Sequence, residues 1–142
     1  ATIAAVGLAA DQVGGARRML EVTTEHARTR YQFGRPIGSF QAVKHALADM
    51  LIATELAGAA LEDAVRAVDE GAPDLATAVS AAQVVCSEAY YDVAAAAIQL
   101  HGGLGFTWEH CAHLYFKRAT ADRILLGSPA HHAERLAGAL GL

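Results

Sequence analysis

The hydrophobic pattern along the chain predicts helices. Apolar residues return every three or four positions over most of the sequence, which is the period of an amphipathic helix rather than of a strand. The first such segment begins near Ile3 and runs to about Arg30, with Gly7, Gly14 and Gly15 inside it. Because glycine weakens an isolated helix, we expect these three glycines to serve close contact between helices.

Two further long helices are predicted. The second runs from Phe40 to about Val68, and Ser39 is its expected N-cap. The third begins at Pro73 or Asp74, after a break at residues 71–73, and it stops at residues 102–103, where two glycines stand together.

Two shorter helices complete the pattern. One is expected over residues 109–119. The last begins after Ser128, a good N-cap that is followed by Pro129 at the first helical position, and it runs to about Leu140.

The fold class that follows is all-α, because no segment shows the alternation of a strand. We predict an up-and-down bundle of three long and two short helices. A chain of 142 residues suits one domain with a sizeable core, so residues 1–142 form a single helical bundle. The chain opens without methionine and inside a helical pattern, so we expect it to be a fragment of something longer.

Composition narrows the function. The apolar fraction of 54% rules out a disordered chain, and the mild net charge of −4, without a cluster of lysine or arginine, argues against nucleic acid. No apolar stretch predicts a membrane span. Cys86 and Cys111 lack the spacing of metal ligands, and no secretory signal is visible, so we expect a reduced, cytoplasmic setting and no metal site.

The loop at residues 30–41 concentrates polar and aromatic groups. It carries Arg30, Gln32, Phe33, Arg35 and Gln41. From the residues alone two interpretations stay open for Arg30: binding of an anion, or a favourable position at the negative end of the helix dipole. Phe33, followed by a glycine, is equally consistent with a hydrophobic plug and a turn.

A second break at residues 99–105 combines a glutamine with three glycines. Glycine lets a ligand approach the backbone closely, and backbone N–H groups without side chains can bind an anion such as a pyrophosphate. Gln99 could bond an amide or a ribose hydroxyl. The alternative is a helix C-cap, with Gly102 in a left-handed conformation.

The two breaks together resemble two motifs of the C-terminal helical domain of the acyl-CoA dehydrogenase family. The segment "RYQFGRPIGSFQAVKHALADM" resembles the family's Arg-x-x-Phe-Gly…Phe-Gln…Lys…Ala-Asp-Met pattern. The segment "IQLHGGLGFTWEH" resembles its Gln-x-x-Gly-Gly-x-Gly-Phe/Tyr pattern. The order of the motifs and the helices between them agree, so the resemblance covers essentially the whole chain.

The resemblance implies a subunit with an N-terminal helical domain and a middle β domain, neither of which is contained in residues 1–142. It also implies FAD at a subunit interface, with both motifs contacting the flavin nucleotide of the neighbouring subunit. Arg30 would face the pyrophosphate, since its planar fork suits phosphate oxygens. The other implied cofactor-binding residues are Gln32, Phe33, Phe40 and Gln41 on the adenosine side, and Gln99, Leu100, His101, Gly102 and Gly103 over the nucleotide.

The activity implied by the resemblance is that of a flavoprotein oxidoreductase of fatty acid or lipid metabolism. Such an enzyme removes two hydrogens from the α and β carbons of an acyl-CoA thioester. The expected partners are the acyl-CoA substrate, a second subunit of the same or a related kind in a dimer or tetramer, and electron-transferring flavoprotein as acceptor.

The expected catalytic carboxylate is missing. Many members of the family carry a glutamate in the loop before the last long helix, where this chain has residues 126–128, Leu-Gly-Ser. Other members place it on the first helix, near Ala4 and Ala5 of this chain. The sequence therefore resembles actinobacterial-type members that lack the usual glutamate, and it leaves the catalytic residue unknown.

Among other titratable groups, Asp11, Glu109 and Asp122 are weak candidates for the base. Adjacent His131 and His132 would face different directions and suit surface or packing positions.

Two hypotheses follow. In the first, the chain is part of an acyl-CoA dehydrogenase whose base is supplied by a partner subunit or is relocated, and the isolated domain is inactive. In the second, it is a non-catalytic dimerisation or scaffold module derived from the same fold.

Overall fold

The structure, a computed structural model, describes residues 2–107 and 110–142. Within those ranges the predicted bundle of three long and two short helices is confirmed. The helices are α1 (Thr2–Thr29), α2 (Gln41–Glu70), α3 (Leu75–His101), α4 (Ala112–Asp122) and α5 (Pro129–Ala139). Two short 3₁₀ helices, Ile37–Ser39 and Gly102–Phe106, lie at the ends of the two connections that the sequence singles out.

The central helix is α3, which packs against each of the other four α-helices. It is rich in alanine, and small side chains let neighbouring helices approach closely while still excluding water. Around it, Met19, Met50 and Val93 are buried in one core cluster, and Val13 and Cys86 in another. Burial raises the pKa of the Cys86 thiol to about 12, so this cysteine is an inert packing group.

The expectation that three glycines of α1 serve helix contact holds for one of them. A Cβ built on Gly15 would lie 2.5 Å from the ring of Tyr90, which is buried on α3. A Cβ on Gly7 or Gly14 would meet nothing within 4 Å, so for these two the expectation is wrong. Gly15 differs from the other two because it lies on the face of α1 that meets α3. The spacing of the glycines in the sequence does not show which face that is.

A small β-hairpin was not predicted. Strand β1 (Tyr31–Gln32) pairs antiparallel with β2 (Arg35–Pro36), so that Tyr31 faces Pro36 and Gln32 faces Arg35. Phe33 and Gly34 form the turn with φ angles of 55° and 76°, which is the left-handed geometry of a two-residue hairpin turn. Strands of two residues are too short to show an alternating pattern.

Some predicted helix ends differ from the structure. The N-cap of α2 is Phe40 rather than Ser39, because the Ser39 hydroxyl donates to the Pro36 carbonyl oxygen at 2.7 Å. Helix α4 begins at Ala112 instead of residue 109, and position 109 lies outside the described residues. The prediction for α5 is confirmed: Ser128 Oγ accepts a hydrogen bond from the His131 N–H at 3.2 Å.

Hydropathy adds one observation about the helices. Within the described ranges, no helix is both long enough and apolar enough to cross a membrane.

Adjacent glycines of α1 provide a matched test of this packing. Gly14→Ala should raise the free energy of unfolding by up to about 1 kcal/mol, because alanine favours a helix and its methyl group meets open space. Gly15→Ala should lower it by about 1–3 kcal/mol, because the methyl group overlaps Tyr90. Chemical denaturation of both variants measures the difference, and equal effects would contradict the packing described for α1 and α3.

Candidate functional site

The two segments singled out in the sequence meet at one cavity of about 460 Å³, between the C-terminal ends of α1 and α3. Most of the predicted cofactor-binding residues line it: Arg30, Gln32, Gln99, Leu100, His101, Gly102 and Gly103. His26, Ile37 and Leu104 also line it and were not predicted. The structure therefore brings together residues that lie far apart in the chain.

The hairpin is held against the end of α1 by backbone contacts. The Ile37 N–H donates to the Arg30 carbonyl oxygen at 2.8 Å, which closes the loop over the last turn of the helix. A Cβ at Gly38 would lie 2.8 Å from the carbonyl oxygen of Ala27, so only glycine lets the chain pass so close. These contacts fix Arg30 and Gln32 beside the cavity.

The end of α3 depends on Gly102 and Gly105. Gly102 has φ 61° and ψ −139°, a backbone conformation open essentially to glycine alone, and its N–H donates to the Gln99 carbonyl oxygen. A Cβ at Gly105 would lie 2.7 Å from the Ile98 carbonyl oxygen, so the chain folds tightly back on the helix. Gly102 is therefore the C-cap of α3, as one of the two interpretations predicts, but its ψ of −139° differs from the left-handed helical conformation expected for it.

Gly102 and its neighbour Gly103 leave the backbone open towards the cavity. A Cβ built on Gly102 or Gly103 would meet no atom within 4 Å, so at these positions the main chain faces free space. Capping and close approach of a ligand are compatible, since the positive φ that ends the helix also exposes the backbone.

Three predicted residues lie outside the cavity lining. Phe33, at the hairpin tip, is 91% exposed, and its ring meets the ring of Phe40 edge-on. The Arg35 guanidinium lies 3.8 Å from the centroid of the Phe40 ring, a cation–π contact. The Gln41 amide is hydrogen-bonded to the His45 ring at 2.7 Å. The role of Phe33, Phe40 and Gln41 towards a nucleotide stays a prediction.

A column of three imidazole rings forms one wall of the cavity and extends behind it. The His101 ring is stacked on the His26 ring at a centroid separation of 4.3 Å, and it also contacts the His110 ring, which is tilted by 41°, at 4.1 Å. His101 Nδ1 lies 2.7 Å from the Ala97 carbonyl oxygen, so this nitrogen carries the proton. Burial lowers the pKa of His26 and of His110, and a charge on neighbouring His101 would lower both further.

Sequence reasoning missed His26, although a signal was present. His26 precedes Arg30 by four residues, and in a helix this spacing places two side chains on the same face.

A second cavity of about 390 Å³ lies where the resemblance places the catalytic carboxylate, between the start of α1 and the loop before α5. Its described lining includes Thr2, Ala5, Leu126, His132 and Arg135, and none of the residues that line it is an acid. Leu126 has a φ of 61°, which is strained for a leucine. Buried His132 holds this turn, because its Nε2–H donates to the Leu126 carbonyl oxygen at 3.1 Å.

The carboxylates weighed as the base are paired elsewhere. Asp11 and buried Asp122 both bind Arg118, at 3.1 Å and 3.0 Å. Burial raises the pKa of Asp122, and Arg118 opposes that shift. These contacts give the two aspartates a structural role, while Glu109 lies outside the described residues. Across the described ranges, no group of three histidine, cysteine or acidic side chains is arranged to hold a metal ion.

Comparison with known proteins defines the family. The family profile for the acyl-CoA dehydrogenase C-terminal domain matches residues 2–141. The chain is 48% identical to acyl-CoA dehydrogenase IpdE2 of Mycobacterium tuberculosis over 136 residues, which are 96% of this chain and 41% of IpdE2. The chain belongs to the acyl-CoA dehydrogenase family and corresponds to its C-terminal domain.

Solved structures agree with this assignment. A chain of the ChsE4–ChsE5 complex from Mycobacterium tuberculosis superposes with a TM-score of 0.93 at 36% identity, covering 99% of this chain and 38% of that one. PigA with FAD and proline superposes with a TM-score of 0.95 at 32% identity, covering 99% of this chain and 37% of that one. The chain thus spans well under half the length of the relatives that it matches.

Three histidines that are buried or partly buried should make the stability of the fold depend on pH. Burial lowers the pKa of His26, His110 and His132, so the unfolded chain binds more protons than the folded chain at mildly acidic pH. The free energy of unfolding should be constant above about pH 6.5, the usual histidine pKa, and should fall as the pH is lowered through that value. Denaturant titrations between pH 8 and pH 5 measure this trend.

His132 offers a matched pair for the same titration. His132→Gln should reduce the acid-induced loss of stability, whereas His45→Gln, at an exposed position on α2, should leave the loss as it is. If the unfolding free energy rose as the pH drops from 7 to 5.5, the lowered pKa values assigned to these histidines would be contradicted.

Proposed function

We propose that this chain is the C-terminal domain of an FAD-dependent acyl-CoA dehydrogenase and that it contributes FAD contacts across a subunit interface. The observation that carries the proposal is the convergence of Arg30 and Gln32 with residues 99–103 on one cavity. FAD held there would supply the acceptor for the hydride that is removed from the β carbon of an acyl-CoA thioester. This chain's residues would bind and orient the nucleotide.

The residues that line the cavity between the ends of α1 and α3 suit the diphosphate group of a nucleotide. The guanidinium of exposed Arg30 presents a planar set of N–H donors that matches two phosphate oxygens, and the described residues provide no salt bridge that neutralises it. The amide of exposed Gln99 can donate to and accept from a ribose or an adenine edge. Open backbone at Gly102 and Gly103 allows the close approach that phosphate and ribose groups need.

An interface site explains why these groups are exposed. Arg30, Gln32, Gln99 and Gly102 lie at the surface of this chain, as expected for one half of a site completed by a neighbouring subunit. Among the similar structures, PigA contains FAD, and ChsE4–ChsE5 is a complex of two differently named chains. Both support a nucleotide shared between this chain and a second copy or a related subunit.

The second cavity supports the proposal that a different subunit supplies the catalytic base. The general base must be a carboxylate within reach of the substrate's α carbon, and none lines this cavity in the described residues. We infer that a related partner subunit supplies the base, and that this chain alone is inactive. The proposed function also includes an acyl-CoA substrate, electron-transferring flavoprotein as the electron acceptor, and a cytoplasmic location.

The scaffold alternative gains no specific support. A scaffold requires neither open glycine backbone at the cavity nor an arginine that lacks a salt bridge, and the described residues provide both.

Replacement of Arg30 tests the proposal. Arg30→Ala in the native assembly should weaken FAD binding about 10- to 100-fold, because a charge-assisted hydrogen bond contributes about 1.5–3 kcal/mol. The measurement is FAD retention by visible absorbance after dialysis, together with a dissociation constant from titration of the flavin-free assembly.

Arg28→Ala is the matched control. Arg28 lies on the same helix, pairs with Glu25 at 3.8 Å at the surface and does not line the cavity, so its removal should leave FAD binding unchanged. The melting temperature of both variants should stay close to that of the wild type. Unchanged flavin affinity in Arg30→Ala would refute the role assigned to this arginine, and a native assembly that cannot be loaded with FAD would make the scaffold alternative the better one.

A further inference from the structure

His26 shares the cavity wall with the arginine proposed to bind phosphate. It lies one helical turn before Arg30 on α1, and the Arg30 N–H donates to the His26 carbonyl oxygen at 2.8 Å. Both side chains line the same cavity. Stacking on buried His101, at 4.3 Å between ring centroids, restricts the orientation of the His26 ring, so its position at the wall is fixed before any ligand arrives.

We propose that His26 is a second phosphate contact in this cavity and that it takes up a proton when the diphosphate of the nucleotide binds. The inference rests on the proposed function and deepens it by assigning a new residue to the FAD site. It also makes FAD binding a proton-coupled reaction, with up to one proton taken from solvent for each diphosphate that enters.

The charges around His26 favour the neutral ring while the cavity is empty. Arg30 on the same helix, His101 on α3 and His110 before α4 face it, and each would repel a second positive charge. Burial is the main cause that lowers the His26 pKa, and these neighbouring positive charges lower it further. On the outer side of α1, Glu25 is occupied by Arg28. No acid is found among the described residues that line the cavity.

In the described part of the chain, the other elements near the column add no opposing negative charge. On the hairpin, Arg35 lies over the Phe40 ring, and neither residue lines the cavity. Beyond His110, the chain continues with Cys111 and with His113, whose Nδ1 lies 2.7 Å from the His110 carbonyl oxygen. A diphosphate would therefore bring the negative charge that the described wall lacks.

Binding of the diphosphate would change which form of the His26 ring is favoured. Its two negative charges beside the imidazole favour the protonated ring, so the His26 pKa rises when the cavity is filled. Protonation also gives the ring N–H donors for phosphate oxygens, which the neutral ring offers on one nitrogen only. The sign of the pH dependence follows: FAD affinity is highest at low pH, and it falls as the pH rises from the empty-site pKa towards the filled-site pKa. One proton gives a slope of at most tenfold per pH unit.

Isothermal titration calorimetry of FAD into the flavin-free native assembly tests the inference. Titrations at pH 7 in two buffers with different ionisation heats give the number of protons taken up, and titrations from pH 6 to pH 8.5 give the slope of the dissociation constant. The wild type should take up a fraction of a proton, up to one, and should bind FAD more weakly as the pH rises. Riboflavin, which lacks the diphosphate, should bind without proton uptake.

Variants separate His26 from its neighbours. His26→Gln should bind FAD with no proton uptake and a flat pH profile, and His26→Lys should restore the affinity lost in His26→Gln, also without uptake, because its charge is permanent. His131→Gln, at an exposed position on α5, should keep the wild-type uptake. If His26→Gln fails to fold, the proton uptake of His26→Lys on FAD binding tests the inference by itself.

The contradicting outcomes fall into two groups. FAD binding with unchanged proton uptake in His26→Gln or His26→Lys would overturn this inference and leave the proposed function standing. Proton uptake with riboflavin would overturn it too. Failure of the wild-type assembly to bind FAD at any pH would remove the proposed function and the inference together.

Discussion

The candidate site depends on one constraint: α1 and α3 end side by side. Core packing fixes the register of these two helices, with Met19 of α1 and Val93 of α3 buried in the same cluster. At their shared end the chain turns back sharply over each helix, and both turns need glycine, since a Cβ at Gly38 or Gly105 would lie within 2.8 Å of a helix carbonyl oxygen. The Arg30 hairpin and the backbone after Gln99 meet because of this arrangement.

The second cavity lies at the opposite end of the bundle, beside the turn at Leu126. The turn at Leu126 keeps a strained left-handed conformation, and the buried His132 ring holds it by a hydrogen bond to its carbonyl oxygen. Described residues around the neighbouring cavity supply no carboxylate. The turn is therefore held in place although the described lining of the cavity contains no acid, and this combination is the basis of the proposal that a related subunit supplies the base.

Long, periodic features of this fold could be predicted from the sequence, and short or cross-chain features could not. Twenty or more residues of helical period identify α1, α2 and α3, whereas the two-residue strands of the hairpin have no detectable period. Gly14 and Gly15 look alike in sequence, and only the position of Tyr90 on another helix distinguishes them. The Ser39 hydroxyl could either accept from the free N–H groups at the start of α2 or donate to the Pro36 carbonyl oxygen, and local geometry decided between them. His26 could have been found, because its spacing to Arg30 places both on one helix face.

The most direct test of the central claim is an experimental structure of the native assembly loaded with FAD. The account predicts that the FAD pyrophosphate lies within hydrogen-bonding distance of the Arg30 guanidinium, with the nucleotide against the backbone at Gly102 and Gly103 and the remainder of its site formed by a neighbouring subunit. FAD bound away from the cavity between the ends of α1 and α3 would contradict the account.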